Sequence, residues 1–196
     1  MGFRKNEWTM RIPALAAILL GAAFLVAMPL SASGAGPRVL GPGGPDDSPM
    51  VRVLESSGAG LRLEFTLPSL VVEDISVVGR AYQSLAIPGG GDAGGVGEPM
   101  LPVFARFVQI PDGADVRVEA VVEEEEELDG FRLIPMQDEE ETAFALVEAA
   151  YERDDFGSAP VATAGEPAIL RGRRVAAVNF APVRYNPAAG KIRVAR

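Results

Sequence analysis

Cysteine and histidine are both absent from the 196-residue sequence, and each absence removes a class of chemistry. Without cysteine the chain has no thiol nucleophile and forms no disulfide. Without histidine it contains no Ser-His-Asp triad and no HExxH zinc site. Acidic residues are plentiful, so a pair of catalytic carboxylates is compatible with the composition, but no spacing singles out two of them. The sequence therefore predicts a protein that is not an enzyme and that carries no cofactor.

Positive charge is also scarce, since 18 lysines and arginines stand against 27 acidic residues and give a formal net charge of −9. Nucleic acids and anionic membranes bind basic surfaces, so neither is expected as a partner. The charge is unevenly distributed: residues 112–155 are strongly acidic, and the residues after Glu166 carry only basic charges. This pattern is typical of two solvated faces, or of opposite charges that dock within the chain or onto a partner.

One long apolar run, Ala14 to Met28, lies near the N-terminus behind a short basic region and ahead of small residues suited to cleavage. This order is typical of a secretory signal peptide, which we place at residues 1–33. The run is shorter than the roughly 20 residues that a membrane-spanning helix needs. We therefore expect no stable membrane insertion after cleavage, and a secreted or cell-surface location with periplasmic transit in a Gram-negative source.

The remaining chain has the length and composition of a single domain. Residues 34–49 are rich in glycine and proline and poor in apolar residues, so they are predicted to form a disordered linker. The folded domain is then expected at residues 50–196. An apolar share of 48% for the whole sequence is enough to build a core.

Alternating apolar and polar residues predict an antiparallel β-sandwich, jelly-roll-like and with at most one short helix. Residues 103–110 and 115–122 are two such runs, and the Pro-Asp-Gly turn at 111–113 joins them. We expect this hairpin at the centre of the sandwich. Further strands are predicted at residues 50–54, 61–67, 70–78, 131–134, 170–183 and 191–195, and residues 79–88 are predicted to be a turn that leads into another strand.

Other segments are less regular. Glu73 and Asp74 interrupt their strand and indicate a bulge or bend, and residues 154–167 are expected to be a loop. Residues 141–154 are rich in helix formers and predict a short helix or an extended segment. The glycine-rich residues 89–97 predict a flexible connection and not a phosphate-binding loop, because prolines follow where a helix would have to start.

The acidic run at residues 123–127 follows a strand that, in this interpretation, must leave the sandwich near Val122, because buried unpaired carboxylates are prohibitive. The run is then expected to extend into water. A calcium site is not predicted, because successive strand residues point in opposite directions and do not surround one ion.

Two blocks of residues resemble the propeptide of gingipain-type secreted cysteine peptidases. The first block is GEPMLP at residues 97–102, followed by IPDGA at residues 110–114. The second is LRGR at residues 170–173, followed by PVRYNPAAG at residues 182–190. The residues that carry the resemblance are Gly97, Pro99, Leu101, Pro102, Pro111, Gly113, Pro182, Tyr185, Asn186, Pro187 and Gly190. Tyr82 also falls where these propeptides often have a tyrosine, and we interpret it as packing.

The resemblance implies a propeptide that assists the folding of a cysteine peptidase domain and keeps it latent. That cognate domain would follow in the same precursor, and the full-length protein would be a cysteine endopeptidase. The basic side chains that we single out as possible contacts of an inhibitory loop are Arg132 and Arg153; alternatively, each only balances neighbouring acids. The other function compatible with the sequence is a non-catalytic binding or structural module of a surface protein, although a mature chain without tryptophan does not favour glycan binding.

Overall fold

A computed structural model describes residues 36–58, 60–141 and 143–196, and the regular structure of this part of the chain is strands apart from one helix of four residues. The predicted all-β antiparallel fold is confirmed, whereas the predicted signal peptide at residues 1–33 lies outside the described residues. The elements in chain order are β1 (Arg38–Leu40), β2 (Met50–Ser57), β3 (Gly60–Thr66), β4 (Leu70–Val77), β5 (Arg80–Ala86), β6 (Gly91–Ala93), β7 (Leu101–Gln109), β8 (Glu125–Asp129), α1 (Glu148–Tyr151), β9 (Ala162–Ala164), β10 (Ala168–Leu170), β11 (Arg173–Phe180), β12 (Val183–Asn186) and β13 (Lys191–Ala195).

The described strands pair antiparallel in four groups. One sheet has the order β1-β4-β5 and another has β10-β11-β7-β6, with β9 also paired to β11. The third sheet is β12-β13-β8, and β2 and β3 form a hairpin. The family-like blocks therefore contribute strands to two different sheets.

A shared hydrophobic core joins the sheets. Phe104 of β7, Phe180 of β11 and Ile192 of β13 belong to one buried cluster. Phe65 of β3 stacks on Phe180 with ring centroids 4.5 Å apart. In β13 the side chains alternate, so that Ile192 and Val194 are fully buried between basic neighbours at the surface. Sheets that share a core in this way form a sandwich, and the period-two alternation supplies its inner faces.

The expected central hairpin is wrong in its second half. Strand β7 pairs with β11, not with residues 115–122, which form no strand. The turn after β7 is held by the other end of the chain: the amide of Ile110 donates to the carbonyl of Arg174, and the Arg174 guanidinium donates to the carbonyls of Pro111 and Ala114. These contacts direct the chain away from β7, so a locally favourable turn does not close a hairpin.

The predicted linker is also wrong from residue 36 onward. Strand β1 pairs with β4, and the amide of Gly43 donates to the carbonyl of Pro68. The buried Ser69 hydroxyl donates to the carbonyl of Gly44 at 2.6 Å. The segment is ordered by hydrogen bonds to β4 and to the two residues that precede β4. The composition of residues 36–49 does not encode these contacts.

Three predicted irregularities have other outcomes. No bulge interrupts β4, because the carboxylates of Glu73 and Asp74 face solvent in a regular pairing with β5. The glycine-rich loop contains strand β6, which pairs with β7. A Cβ on Gly90, the residue just before β6, would lie 2.5 Å from the carbonyl oxygen of Val103. The loop predicted at residues 154–167 contains β9.

The long strand predicted at residues 170–183 is divided. Arg171 and Gly172 both have positive φ, 50° and 75°, which is the backbone of a tight hairpin turn between β10 and β11. Pro182, which has no amide hydrogen, follows the end of β11. The predicted short helix exists only as α1, because the amide of Val147 donates to the carbonyl of Gly97 and so ends the helix on that side.

The acidic run and the basic C-terminal end meet in the pairing of β8 with β13. Lys191 Nζ lies 2.9 Å from Glu127 and 3.3 Å from Asp129, and Arg193 Nε lies 2.9 Å from Glu127. Arg196 pairs with Glu126 at 2.6 Å, and Arg184 pairs with Glu125. Of the two interpretations of the charge distribution, docking within the chain is therefore the one found. Residues 125–127 of the acidic run belong to β8, the edge strand of this sheet.

These contacts shift two pKa values in opposite directions. Hydrogen bonds from Lys191 and Arg193 lower the pKa of Glu127, and hydrogen bonds to Glu127 and Asp129 raise the pKa of Lys191. Both side chains are partly exposed, so salt screens the interaction.

Truncation of two phenylalanines on β7 should have very different effects. Phe104 is 1% exposed and Phe107 is 67% exposed. We expect Phe104→Ala to lower the free energy of unfolding by roughly 3–5 kcal/mol, since it leaves a cavity, and Phe107→Ala to change it by about 0.5 kcal/mol or less. Urea titration of both variants measures this, and equal losses would contradict the assignment of the inner face.

Acidification should weaken the contact between β8 and β13. Because the pKa of Glu127 is lower in the folded than in the unfolded chain, its stabilisation is complete above the ordinary glutamate pKa and is lost as the pH falls through the folded value. The pKa of Lys191 is raised, so its contribution is complete below the ordinary lysine pKa and is lost at higher, alkaline pH. Urea midpoints measured across the acid range should therefore fall less steeply for Glu127→Gln than for the parent.

Glu55→Gln is the matched control, because Glu55 is an exposed glutamate on β2 and forms no ion pair within the described residues. Its midpoints should follow those of the parent. A Glu127→Gln variant with the parent's acid dependence would contradict the ion-pair assignment.

Candidate functional site

The segment at residues 130–136 carries Arg132 and is fixed on one side by β5. The amide of Gln83 donates to the carbonyl of Arg132 at 2.8 Å, and the amide of Arg132 donates to Gln83 Oε1 at 2.7 Å. The amide of Ile134 then donates to the carbonyl of Gln83 at 2.9 Å. The segment is extended, as predicted for residues 131–134, but it is tied down by one glutamine and not by a full strand ladder.

Two tyrosine hydroxyls hold the same segment from inside. Tyr151 donates to the carbonyl of Leu133 at 2.8 Å, and Tyr185 donates to the carbonyl of Phe131 at 3.1 Å. The amide of Leu133 donates to the Tyr185 hydroxyl at 3.4 Å. Burial raises the pKa of both tyrosines, and the neighbouring tyrosines raise that of Tyr151 further. Both hydroxyls therefore remain protonated donors at neutral pH.

The first family-like block holds the other end of the segment. The amide of Gly97 donates to the carbonyl of Met136, the amide of Met136 donates to the carbonyl of Glu98, and the amide of Met100 donates to the carbonyl of Ile134, all at 2.8–2.9 Å. Gly97 has φ +82°, and a Cβ there would lie 2.9 Å from a methyl group of Val147. Only glycine fits this junction without strain.

The second family-like block supplies the β12–β13 turn, on which both predicted arginines converge. The carbonyl of Gly190 accepts hydrogen bonds from the amides of Gly130 and Phe131, both at 2.9 Å. The amide of Ala188 donates to the carbonyl of Arg153 at 3.0 Å, and the Asn186 amide group donates to Asp154 at 3.0 Å. The chain next to Arg132 and the chain at Arg153 thus lie against one turn.

Both arginines present their side chains to solvent. The guanidinium carbon of Arg132 lies 5.2 Å from the ring centroid of Tyr82, which is buried and packs against Phe144 at 6.0 Å. Tyr82 is thus a packing residue, as predicted. Arg153 lines a shallow depression with Asp155 and neighbouring residues. Within the described ranges neither arginine forms an ion pair with a carboxylate.

Not all of the motif residues meet at this place. Gly97, Pro99 and Pro102 are buried at the start of β7, and Leu101 is half-buried beside them. Pro182, Tyr185, Asn186, Pro187 and Gly190 surround the β12–β13 turn. The Pro111 and Gly113 turn lies beyond the opposite end of β7, roughly 25 Å away at the rise of a β-strand.

Sequence reasoning missed three residues that position the segment: Gln83, Gln137 and Tyr151. Gln137 Nε2 donates to the carbonyls of Pro135 and Ala145, and its Oε1 accepts from the amide of Ala145 at 2.9 Å. The bond between Gln83 and Arg132 joins residues 49 positions apart. No local pattern marks such partners, since each is a polar residue in an ordinary strand or loop.

The arrangement is suited to binding and not to bond-breaking chemistry. Exposed guanidinium groups carried on a fixed backbone donate strong hydrogen bonds to carboxylates of a partner. Among the described residues there is no cluster of three or more acids placed to hold a metal ion. No helix in the same ranges is long and apolar enough to cross a membrane.

Comparison with known proteins identifies relatives over most of the chain. The family model described as Propeptide_C25 matches residues 44–196. Lys-gingipain HG66 of Porphyromonas gingivalis is 29% identical over 142 residues, which is 66% of this chain and 8% of that protein. Gingipain R1 of the same organism is 27% identical over 154 residues, 75% of this chain and 16% of that protein. The chain thus spans less than a fifth of these relatives.

Two solved structures have a similar fold. One, from work on the zymogenic latency of gingipain K of Porphyromonas gingivalis, aligns with a TM-score of 0.69 and 24% identity over 82% of this chain and 94% of the other. The other, a complex of the pro- and mature domains of RgpB of Porphyromonas gingivalis, aligns with a TM-score of 0.64 and 24% identity over 74% of this chain and 79% of the other.

The family match lies on a propeptide and not on a peptidase domain, in agreement with a sequence that has no cysteine or histidine. It begins inside the segment that was predicted to be a linker. It also includes both blocks of motif residues. With 44–196 matched, the chain belongs to the Propeptide_C25 family.

Proposed function

We propose that this domain binds a gingipain-type cysteine peptidase domain encoded after it in the same precursor, assists the folding of that domain and keeps it latent until cleavage. Membership in a propeptide family carries the proposal. It is supported by the fold shared with a structure from work on gingipain K latency and with a complex of pro- and mature domains of RgpB. The chain has no cysteine nucleophile and no histidine to activate one, so in this proposal the domain acts by covering the site of another protein.

The segment around Arg132 is the best supported contact with that peptidase. Its backbone is fixed by Gln83, Tyr151, Tyr185 and the two family-like blocks, so little conformational entropy is lost when a partner binds. The Arg132 guanidinium is exposed and lies over the Tyr82 ring. A carboxylate in the partner's cleft is the group that such an arginine would recognise.

Arg153 is the second contact in this proposal. Its backbone is tied to the turn that also supports the Arg132 segment, so the backbones that carry the two side chains belong to one frame. Paired basic contacts on an otherwise acidic protein fix the orientation of docking more than they add affinity.

Export precedes this function in our proposal. The predicted signal peptide at residues 1–33 would deliver the precursor to a secreted or cell-surface location. A chain without cysteine folds there by packing and hydrogen bonding alone, since no disulfide is available.

Removing the Arg132 side chain tests the contact. We expect Arg132→Ala in residues 36–196 to raise the inhibition constant for the cognate peptidase domain roughly tenfold or more, because exposed arginines that become buried on binding are frequent hot spots. Arg153→Ala should cause a smaller rise. The inhibition constant is measured from peptidase activity against propeptide concentration, with urea titration of each variant as a check on folding.

Arg62→Ala is the matched control, since Arg62 is an exposed arginine on β3 that makes no ion pair in the described residues. It should inhibit like the parent. If Arg132→Ala and Arg62→Ala have the same inhibition constant, Arg132 is not a contact. If the parent neither inhibits the peptidase nor changes its refolding, the latency function is wrong.

A further inference from the structure

Residues 115–123 have the sequence of a strand but belong to no sheet. Val116, Val118, Ala120 and Val122 alternate with mostly charged residues, which is the pattern of a half-buried strand. Burial follows the same period at the start: Val116 and Val118 are half-buried, whereas Arg117 and Glu119 are exposed. Val118 packs against the hydrophobic core. The first half of the row, Val116 and Val118, therefore rests on the domain as the inner row of a strand would, whereas Ala120 and Val122 are exposed.

The backbone of this segment has no partner within the part of the chain that the structure describes. No amide or carbonyl of residues 115–123 takes part in a hydrogen bond there. The flanking residues are bonded on both sides, since the carbonyl of Ala114 accepts from Arg174 and the carbonyl of Glu124 accepts from the amide of Arg196. The unpaired stretch is thus anchored at each end, and its peptide groups have no hydrogen-bond partner among the described residues.

Its length is sufficient for strand pairing. Nine residues span roughly 30 Å when they pair as a strand, which exceeds a typical strand of about five or six residues. Loops of this length without secondary structure are uncommon in compact domains and are often binding elements. An anchored strand with free peptide groups is the receptor in β-strand addition, where main-chain hydrogen bonds give affinity.

The charges next to the segment favour a different protein over a second copy of this chain. Glu123 and Glu124 form no ion pair within the described ranges, unlike the three glutamates that follow them. Pairing of two copies here would bring together two chains that each carry a formal net charge of −9, and the chains would repel each other. A partner strand with a basic residue opposite Glu123 or Glu124 would satisfy both the peptide groups and these carboxylates.

We propose that residues 115–123 receive an edge strand of the peptidase domain, which completes a β-sheet across the interface. This rests on the proposed function, because it takes the peptidase domain of the same precursor as the partner. The segment at residues 130–136 and the segment at residues 115–123 are then separate contacts. The first recognises a carboxylate side chain through Arg132, and the second recognises an extended backbone.

A pair of proline variants tests the backbone contact. Successive residues of a strand point their peptide groups to opposite edges, so an added strand uses the amides of only one parity. Ala120 and Val121 are adjacent, apolar and exposed, and neither amide is hydrogen-bonded in the described residues. Ala120→Pro and Val121→Pro should therefore leave the urea midpoint of the free domain nearly unchanged.

We expect one of the two variants to bind the peptidase domain roughly tenfold more weakly and the other to bind like the parent, because proline removes one donor and hinders pairing on that edge alone. The dissociation constant is measured by calorimetry with the peptidase domain of the same precursor. Amide exchange followed by NMR should show fast exchange at residues 115–123 in the free domain and slowing at alternate amides in the complex.

The outcomes separate this inference from the proposed function. If the parent binds and inhibits but both proline variants bind equally well and exchange at residues 115–123 is not slowed, strand addition is wrong and latency stands. If exchange slows with increasing concentration of the propeptide alone, the occupant is a second copy and the inference is overturned. If the parent does not bind the peptidase, the proposed function fails and this inference fails with it.

Discussion

The hydrogen bonds that satisfy the backbone of residues 130–136 are the constraint on which the rest of this domain depends. The segment lies in no continuous ladder, so its peptide groups are satisfied one by one from β5, from residues 97–100, from the β12–β13 turn and from two tyrosine hydroxyls. A buried peptide group without a partner costs about 1–3 kcal/mol. Elements between residues 83 and 190 must therefore assemble together before Arg132 has a fixed place.

Ion pairs hold β8, the edge strand of the β12-β13-β8 sheet, against β13. An edge strand made of carboxylates resists pairing with foreign strands. Here those carboxylates form ion pairs with Lys191, Arg193 and Arg196 of the same chain. The edge strand is therefore held in place and also resists pairing with a strand of another molecule. The segment just before it, residues 115–123, has the reverse character: its peptide groups have no partner among the described residues, and Val118 already packs against the core. One stretch of chain thus contains a protected edge beside an open one.

The comparison of sequence and structure separates two kinds of information. Side-chain alternation located β3, β4, β5, β7 and β13 closely, and the Asn-Pro-Ala-Ala-Gly turn at residues 186–190 returns the chain as predicted. The same alternation at residues 115–122 is seen in the burial of Val116 and Val118, yet no strand forms. Alternation tells which face of a strand is apolar, but it does not supply a neighbour to pair with. The prediction for residues 36–49 is wrong in the opposite direction. Their composition favours no regular structure, yet pairing with β4 orders them.

The candidate site follows the same division. Arg132 and Arg153 were visible in the sequence as basic residues in acidic surroundings, and Gly97, Tyr185 and Gly190 as parts of family-like blocks. Their convergence on one turn was not visible, nor were Gln83, Tyr151 and Gln137, which fix the segment through contacts up to 49 residues apart.

The sequence by itself determined that this is an all-β protein without a catalytic thiol or imidazole, because composition and period-two alternation act locally and need no partner. The tertiary structure alone decided which strands are neighbours, which carboxylates meet which cations and which strand-like segment stays unpaired. Each of these is a contact between residues distant in the chain, and its free energy depends on everything else that reaches the same place.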